Sequence, residues 1–260
     1  MAKCSFCDED QKLTDEHVWS SVVLRLFDDV APMTFDEKRG KIYAADPVIK
    51  DLCGECNAGT SAADAAMGEF TKRYFVGRLD RHYVVDFDDP NILRWVMKTV
   101  SNHERCLGID STWWKDYVPF FKRQRVDVSR IDLLLAPWLD LSPEGVATTM
   151  LGVLTLGAKQ LLLGGLKQVD PRTAHEQIST SWVLKVGSGV FALFVWKAGA
   201  TNGIRRSVVD ELRNYGWLMC GEDNVVGRVP FNLITCILYH LPANPDDFDP
   251  LGPFKKSSTS

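Results

Sequence analysis

Two short stretches decide how this chain is read: Lys3-Cys4-Ser5-Phe6-Cys7-Asp8 near the start, and Asp51-Leu52-Cys53-Gly54-Glu55-Cys56-Asn57 further along. Each contains a Cys-x-x-Cys pair, a spacing that sets two thiols on one tight turn. Two such turns provide the four thiolates that a structural zinc takes in tetrahedral geometry. A zinc ion held by Cys4, Cys7, Cys53 and Cys56 has a closed coordination sphere, so it is expected to hold the fold and to leave no open position for chemistry. The 45 residues between Cys7 and Cys53 exceed the separation in the simplest zinc ribbons.

Seven cysteines is an odd number, and in a reducing compartment close pairs point to metal ligation before disulfides. Cys106, Cys220 and Cys236 have no close partner and sit in apolar stretches, where small buried hydrophobes are expected. The 260 residues are 45% hydrophobic and 25% charged, ordinary for a globular protein and enough for two domains. No apolar run reaches the roughly 18 residues of a membrane span, and Met1–Asp10 is polar and acidic, so a cytoplasmic protein is expected. A net charge of −4 argues against bulk electrostatic coating of nucleic acid. A local surface stays open: Lys115, Lys122, Arg123, Arg125 and Arg130 interleave with Trp113, Trp114, Phe120 and Phe121, either as a nucleic-acid surface or as a solvated face over buried aromatics.

The expected fold class is α+β, with a zinc module and helical extension over residues 1–130, an α+β domain with an antiparallel sheet over 131–243, and a mobile tail over 244–260. From Ala62 to Tyr74, Met67, Phe70 and Tyr74 recur at helical spacing. A second helix is signalled by Asp88-Asp89-Pro90 and by Ile92, Trp95, Val96, Thr99, Val100 and His103, a face expected to pack on the zinc module. Leu133–Leu166 suits buried strands or short helices. Trp182–Val186 and Val190–Trp196 read as a hairpin around a three-residue Gly187-Ser188-Gly189 loop. Ser207–Tyr215 reads as a helix, and Val225–Val229 and Leu233–Tyr239 as further strands.

Between the Cys pairs lies Leu13-Thr14-Asp15-Glu16-His17-Val18, and the second pair is followed at once by Asn57. An acidic residue, a histidine and an aliphatic, set in a Cys-x-x-Cys frame whose last Cys precedes Asn, resemble the HNH endonuclease family of the ββα-metal, treble-clef-like fold. The frame covers residues 4 to about 75, and Asn91–Glu104 is similar to the helix that follows this module in small bacterial HNH proteins. The C-terminal half carries no comparable match.

Chemistry gives these residues roles of the same kind. Phosphodiester hydrolysis needs a base for the attacking water and a divalent cation for the phosphate charge. His17 suits the base, and Glu16, or its neighbour Asp15, suits Mg²⁺ or Mn²⁺ through hard oxygen. The resemblance implies that Asn57 braces the catalytic loop through backbone hydrogen bonds. It also implies a His or Asn on the following helix, and here this sequence departs: Asp64 stands there, a carboxylate that could complete the cation site. His82, His103, His175 and His240 lack such context and are read as structural.

A metal-dependent DNA endonuclease is therefore expected, with Lys72, Arg73 and Arg78 as phosphate contacts, and the competing reading is an inactive zinc module that binds DNA or protein. The C-terminal half carries no nucleophile motif, phosphate loop or carboxylate pair, so recognition is its expected role, of a target structure, a partner, a second copy of the chain or a regulatory ligand. The resemblance further implies a setting in restriction, phage defence or mobile elements.

Overall fold

A tight first turn, closed through a left-handed residue, begins the structure, a computed structural model that describes residues 2–27, 33–36, 41–44, 48–76, 85, 90–137, 153–157, 171–187, 189–214 and 217–220. Strands β1 (Ala2–Lys3) and β2 (Asp10–Gln11) pair around that turn. Within it the Asp8 amide donates to the Cys4 carbonyl at 2.9 Å, and Asp8 adopts φ +60°, a conformation that a short polar side chain tolerates. β3 (Leu13–His17) pairs antiparallel with β6 (Val48–Cys53), with a bulge between Thr14 and Glu16. Ser5 ties the first turn to β6 by its amide to the Asp51 carbonyl, 2.8 Å, and its hydroxyl to the Asp51 carboxylate, 2.9 Å.

Helix α1 (Ser21–Leu24) follows β3, and the strands β4 (Met33–Asp36) and β5 (Lys41–Ala44) come next. After β6 the chain enters α2 (Gly54–Ala58) and, past a Gly59-Thr60 turn, α3 (Ser61–Tyr74). α3 buries Met67, Phe70 and Tyr74, as their spacing requires, and Gly68 lets α1 approach: a Cβ there would lie 2.4 Å from Val22 Cγ1. α4 (Pro90–Cys106) begins on proline, whose missing N–H costs nothing at a helix start, while Asp88 and Asp89 lie outside the described residues. Every residue from Trp95 to Glu104 is buried, so α4 is covered on all sides. A 3₁₀ turn (Trp113–Tyr117) and α5 (Val118–Phe121) then lead to β7 (Ile131–Pro137).

The remaining strands are β8 (Val153–Gly157), β9 (Ile178–Val186), β10 (Gly189–Trp196) and β11 (Leu218–Met219), with helices over Pro171–Gln177 and Asn202–Asn214. They build a seven-stranded sheet in the order β11-β7-β10-β9-β8-β4-β5, antiparallel except at β4 and β8. Thus the segment between the two Cys pairs adds a hairpin to the C-terminal sheet. β9 and β10 form the expected hairpin, but Val186 pairs with Gly189, so the loop has two residues rather than three. Gly187 holds φ +54° there, and a Cβ on it would meet the Phe75 carbonyl at 2.6 Å.

β10 is buried along its whole length and uses both faces. Phe191, Leu193 and Val195 join one apolar cluster that also contains Cys4, Trp19, Met67, Phe75 and Trp95, so core residues from both sides of position 130 are continuous. Trp196 points the other way and donates to Asp132 at 2.7 Å, and the same carboxylate takes a two-pronged Arg205 from the Asn202–Asn214 helix at 2.6 Å. The fold is a mixed α+β structure with a largely antiparallel sheet and a Cys cluster near its N-terminus. Among the described residues no helix is long and apolar enough to cross a membrane. The strands expected over Val225–Val229 and Leu233–Tyr239, the 244–260 tail, Cys236, Arg78, His82 and His240 lie outside the described residues.

Candidate metal centre and active site

The thiols of Cys4, Cys7, Cys53 and Cys56 all lie within 4.8 Å of one another, and Cys7 Sγ is 3.9 Å from Cys53 Sγ. A tetrahedral zinc with bonds near 2.3 Å sets its sulfurs about 3.8 Å apart, so the four residues fit that ion. Cys53 ends β6 and caps α2, its sulfur accepting the Cys56 amide at 3.5 Å, while Cys4 Sγ accepts the Cys53 amide at 3.3 Å. Amide donors of this kind stabilise thiolates. Burial acts to raise the Cys4 thiol, but hydrogen bonds from the Cys53, Cys7 and Phe6 backbone outweigh it and bring the pKa down to about 6. Burial pushes Cys56 up to about 12 against the pull of the Lys122 side chain.

Next to this cluster, β3 carries the two central residues of the HNH-like stretch on opposite faces. His17 is exposed, whereas Glu16 is only 5% exposed and turns inward. Asn57, in α2, reaches back to β3 and donates to Thr14 Oγ1 at 3.2 Å and to the Asp15 carbonyl at 3.4 Å, at the bulge. Asp15 itself faces solvent beside Lys50, 3.7 Å away, so of the two acidic neighbours it is Glu16 that shares a partner with Asp64.

Glu16 and Asp64 converge on the same atom, and that atom belongs to Lys98. Its Nζ lies 2.6 Å from Glu16 Oε1 and 2.9 and 3.2 Å from the two oxygens of Asp64. Asn102, one turn further along α4, donates to Glu16 Oε1 and to the His17 carbonyl, each at 3.3 Å. Arg105 completes this stripe of the helix: it bonds Asn102 Oδ1, pairs with Asp51 at 2.6 Å, and lies over the rings of Phe6 and Trp114 at 5.2 and 4.9 Å. Burial lowers the Arg105 pKa, and the Asp51 carboxylate opposes that shift. The pair Glu16 and Asp64, read as ligands for Mg²⁺ or Mn²⁺, therefore does not fit a divalent ion in this arrangement, because an ammonium already bridges it.

Lys98, Asn102 and Arg105 were missed by reading α4 for its apolar face. Their spacing, i, i+4 and i+7, marks one side of a helix and was the available signal. His103, expected to meet the zinc module, instead packs edge-on against Trp182 of β9 at 5.1 Å. Beside it, Glu104 is 1% exposed and accepts from Trp182 Nε1 at 2.6 Å, Trp113 Nε1 at 2.7 Å and Thr180 Oγ1 at 3.0 Å, at the edge of a cavity of about 600 Å³. Trp113, Trp114, Phe120 and Phe121 are buried; of the basic residues between Lys115 and Arg130, Lys115, Arg123 and Arg125 are exposed, while Arg130 is half-buried and Lys122, also half-buried, lies against Cys56. Lys72 and Arg73 are exposed at the end of α3, with Arg73 over the Tyr74 ring. Cys106 is exposed and Cys220 half-buried, unlike the buried hydrophobes expected there.

Comparison with family models, with curated proteins and with solved structures finds no match to this chain.

Proposed function

We propose that the chain is a DNA endonuclease of HNH type, with Cys4, Cys7, Cys53 and Cys56 holding a structural zinc and His17 as the general base. The observation that supports this reading best is the bond from Asn57 to the Asp15 carbonyl. It fixes the strand that presents His17, in the bracing role that the HNH resemblance implies for Asn57. His17 is exposed on a rigid strand, where its imidazole can take a proton from water attacking a phosphodiester, and Asn102 holds the strand through the His17 carbonyl. The resemblance also implies a Mg²⁺ or Mn²⁺ ion on Glu16 and Asp64. Lys98 Nζ lies against Glu16 Oε1 and both oxygens of Asp64, so no step of the reaction is assigned to such an ion here.

Lys98 favours a second reading: a zinc module that binds DNA or another protein without cutting. An ammonium stands where the resemblance places the catalytic cation, so the charge stabilisation that such an ion gives to a phosphodiester has no source at these two acids. The test is plasmid DNA incubated with zinc-loaded protein and with His17→Ala, in Mg²⁺, in Mn²⁺ and after chelation of free divalent ions, scored for nicking and linearisation. Cutting by the wild type and none by an equally folded His17→Ala is the expected result. Equal cutting by both removes His17 as the base, and no cutting under any condition by zinc-containing protein selects the binding module.

A further inference from the structure

We infer that Lys98 is the resident cation of the Glu16–Asp64 pair and that it excludes a divalent ion from these carboxylates. The inference concerns the place that the nuclease reading would give to Mg²⁺ or Mn²⁺, and it rests on geometry alone. Lys98 Nζ meets three carboxylate oxygens within 3.2 Å, and its side chain is 5% exposed, that of Glu16 7% and that of Asp64 21%. An ammonium has three N–H groups, and this one spends them on the two acids it joins. Mg²⁺ asks for a near-octahedral shell at about 2.0–2.1 Å and keeps several of its waters. The space between the two acids is instead filled by the lysine headgroup and by the Asn102 amide on the same Glu16 oxygen.

Displacing Lys98 would not be a local matter. It is carried by a part of α4 in which every residue from Trp95 to Glu104 is buried, so an expelled ammonium would stay in the interior without a partner. Were it to remain, it would repel the incoming dication across a few ångströms of low-dielectric interior. The bridge also connects three elements, β3 through Glu16, α3 through Asp64 and α4 through Lys98, and so does the cross-linking that a metal would otherwise do. Any chemistry at His17 then runs without a divalent ion on these two acids.

The test is Mn²⁺ binding to full-length, zinc-loaded protein, read without DNA as loss of the free-ion signal in electron paramagnetic resonance. Wild type is expected to show no site with Kd below about 1 mM. Lys98→Met, checked for folding by circular dichroism, is expected to gain a site at least about tenfold tighter, and Lys98→Met/Glu16→Gln to lose it again. Lys98→Gln takes the place of Lys98→Met if the latter does not fold. A wild-type site that tightens Mn²⁺ below that limit and disappears in Glu16→Gln overturns the inference, as does a folded Lys98 variant that gains nothing. Because DNA is absent from the assay, failure of the nuclease reading leaves this result standing, and the reverse holds too.

Discussion

Glu104→Ala tests whether α4 joins the Cys module and the sheet into one cooperative unit. The Glu104 carboxylate is the shared acceptor for Trp113 in the 3₁₀ turn and for Trp182 and Thr180 on β9. Hydrogen bonds to a charged group are worth about 1.5–3 kcal/mol each, and stranding a buried donor costs about 1–3 kcal/mol. Trp113 and Thr180 border the cavity, so water can take over part of their bonding, whereas Trp182 is 6% exposed and sits against His103. The expected loss is therefore roughly 3–5 kcal/mol, in the range for removing one partner of a buried charged network. With an m-value near the upper end of the ~1–3 kcal/mol/M range in urea, the midpoint should fall by about 1–2 M. Glu104→Gln keeps the shape and one acceptor but turns an N–H₂ toward an indole N–H, so about half that loss is expected. Unfolding followed by tryptophan fluorescence and by far-ultraviolet dichroism should give coincident transitions in each case. A midpoint shift of Glu104→Ala under about 0.3 M with unchanged m would refute the reasoning.

Two further perturbations act on the Cys module. Cys53→Ser removes a zinc ligand and the cap of α2 together, so zinc per chain, measured by atomic emission, should fall from about one toward zero with a lower melting temperature; full zinc retention would exclude the four-thiolate site. Asn57→Ala frees the Asp15 carbonyl and Thr14 hydroxyl, and under the nuclease reading it should slow plasmid nicking roughly 10- to 100-fold. Its melting temperature should move by only a few degrees, because Asn57 is half-buried and its bonds are long, and unchanged nicking would remove the bracing role.

What could be read in advance was whatever local spacing determines. The two Cys pairs, the Met67, Phe70 and Tyr74 face of α3 and the β9–β10 hairpin each depend on residues close in sequence, and each is found in the structure. The membership of β4 and β5 in the seven-stranded sheet is different in kind. It rests on a parallel pairing of Met33 and Thr34 with Leu154 and Thr155, which no local period announces. Lys98 escaped for a related reason. A lysine on a helix is usually solvated, and only the arrival of Glu16, from 82 positions earlier, and Asp64 converts its stripe of α4 into an interior. Glu104 escaped likewise, since its three donors come from the 3₁₀ turn and from β9.

The two charged sides of α4 differ in how their charge is compensated, and that difference bears on function. Toward the sheet, Glu104 is surrounded by neutral donors, an arrangement that fixes geometry and needs no ion. Toward the Cys module, Lys98 and Arg105 meet Glu16, Asp64 and Asp51, opposite charges in contact. Ion pairs of this kind contribute little net stability once desolvation is counted, but they penalise any arrangement that separates them. The position of β3 relative to α3 and α4 is thus tightly specified, and β3 is the strand on which Asn57 acts and from which His17 reaches solvent. Buried ion pairs set the place of His17, and the Cys cluster joins the two turns that carry its thiols. Under the nuclease reading, that firm placement is what a general base on an exposed strand requires.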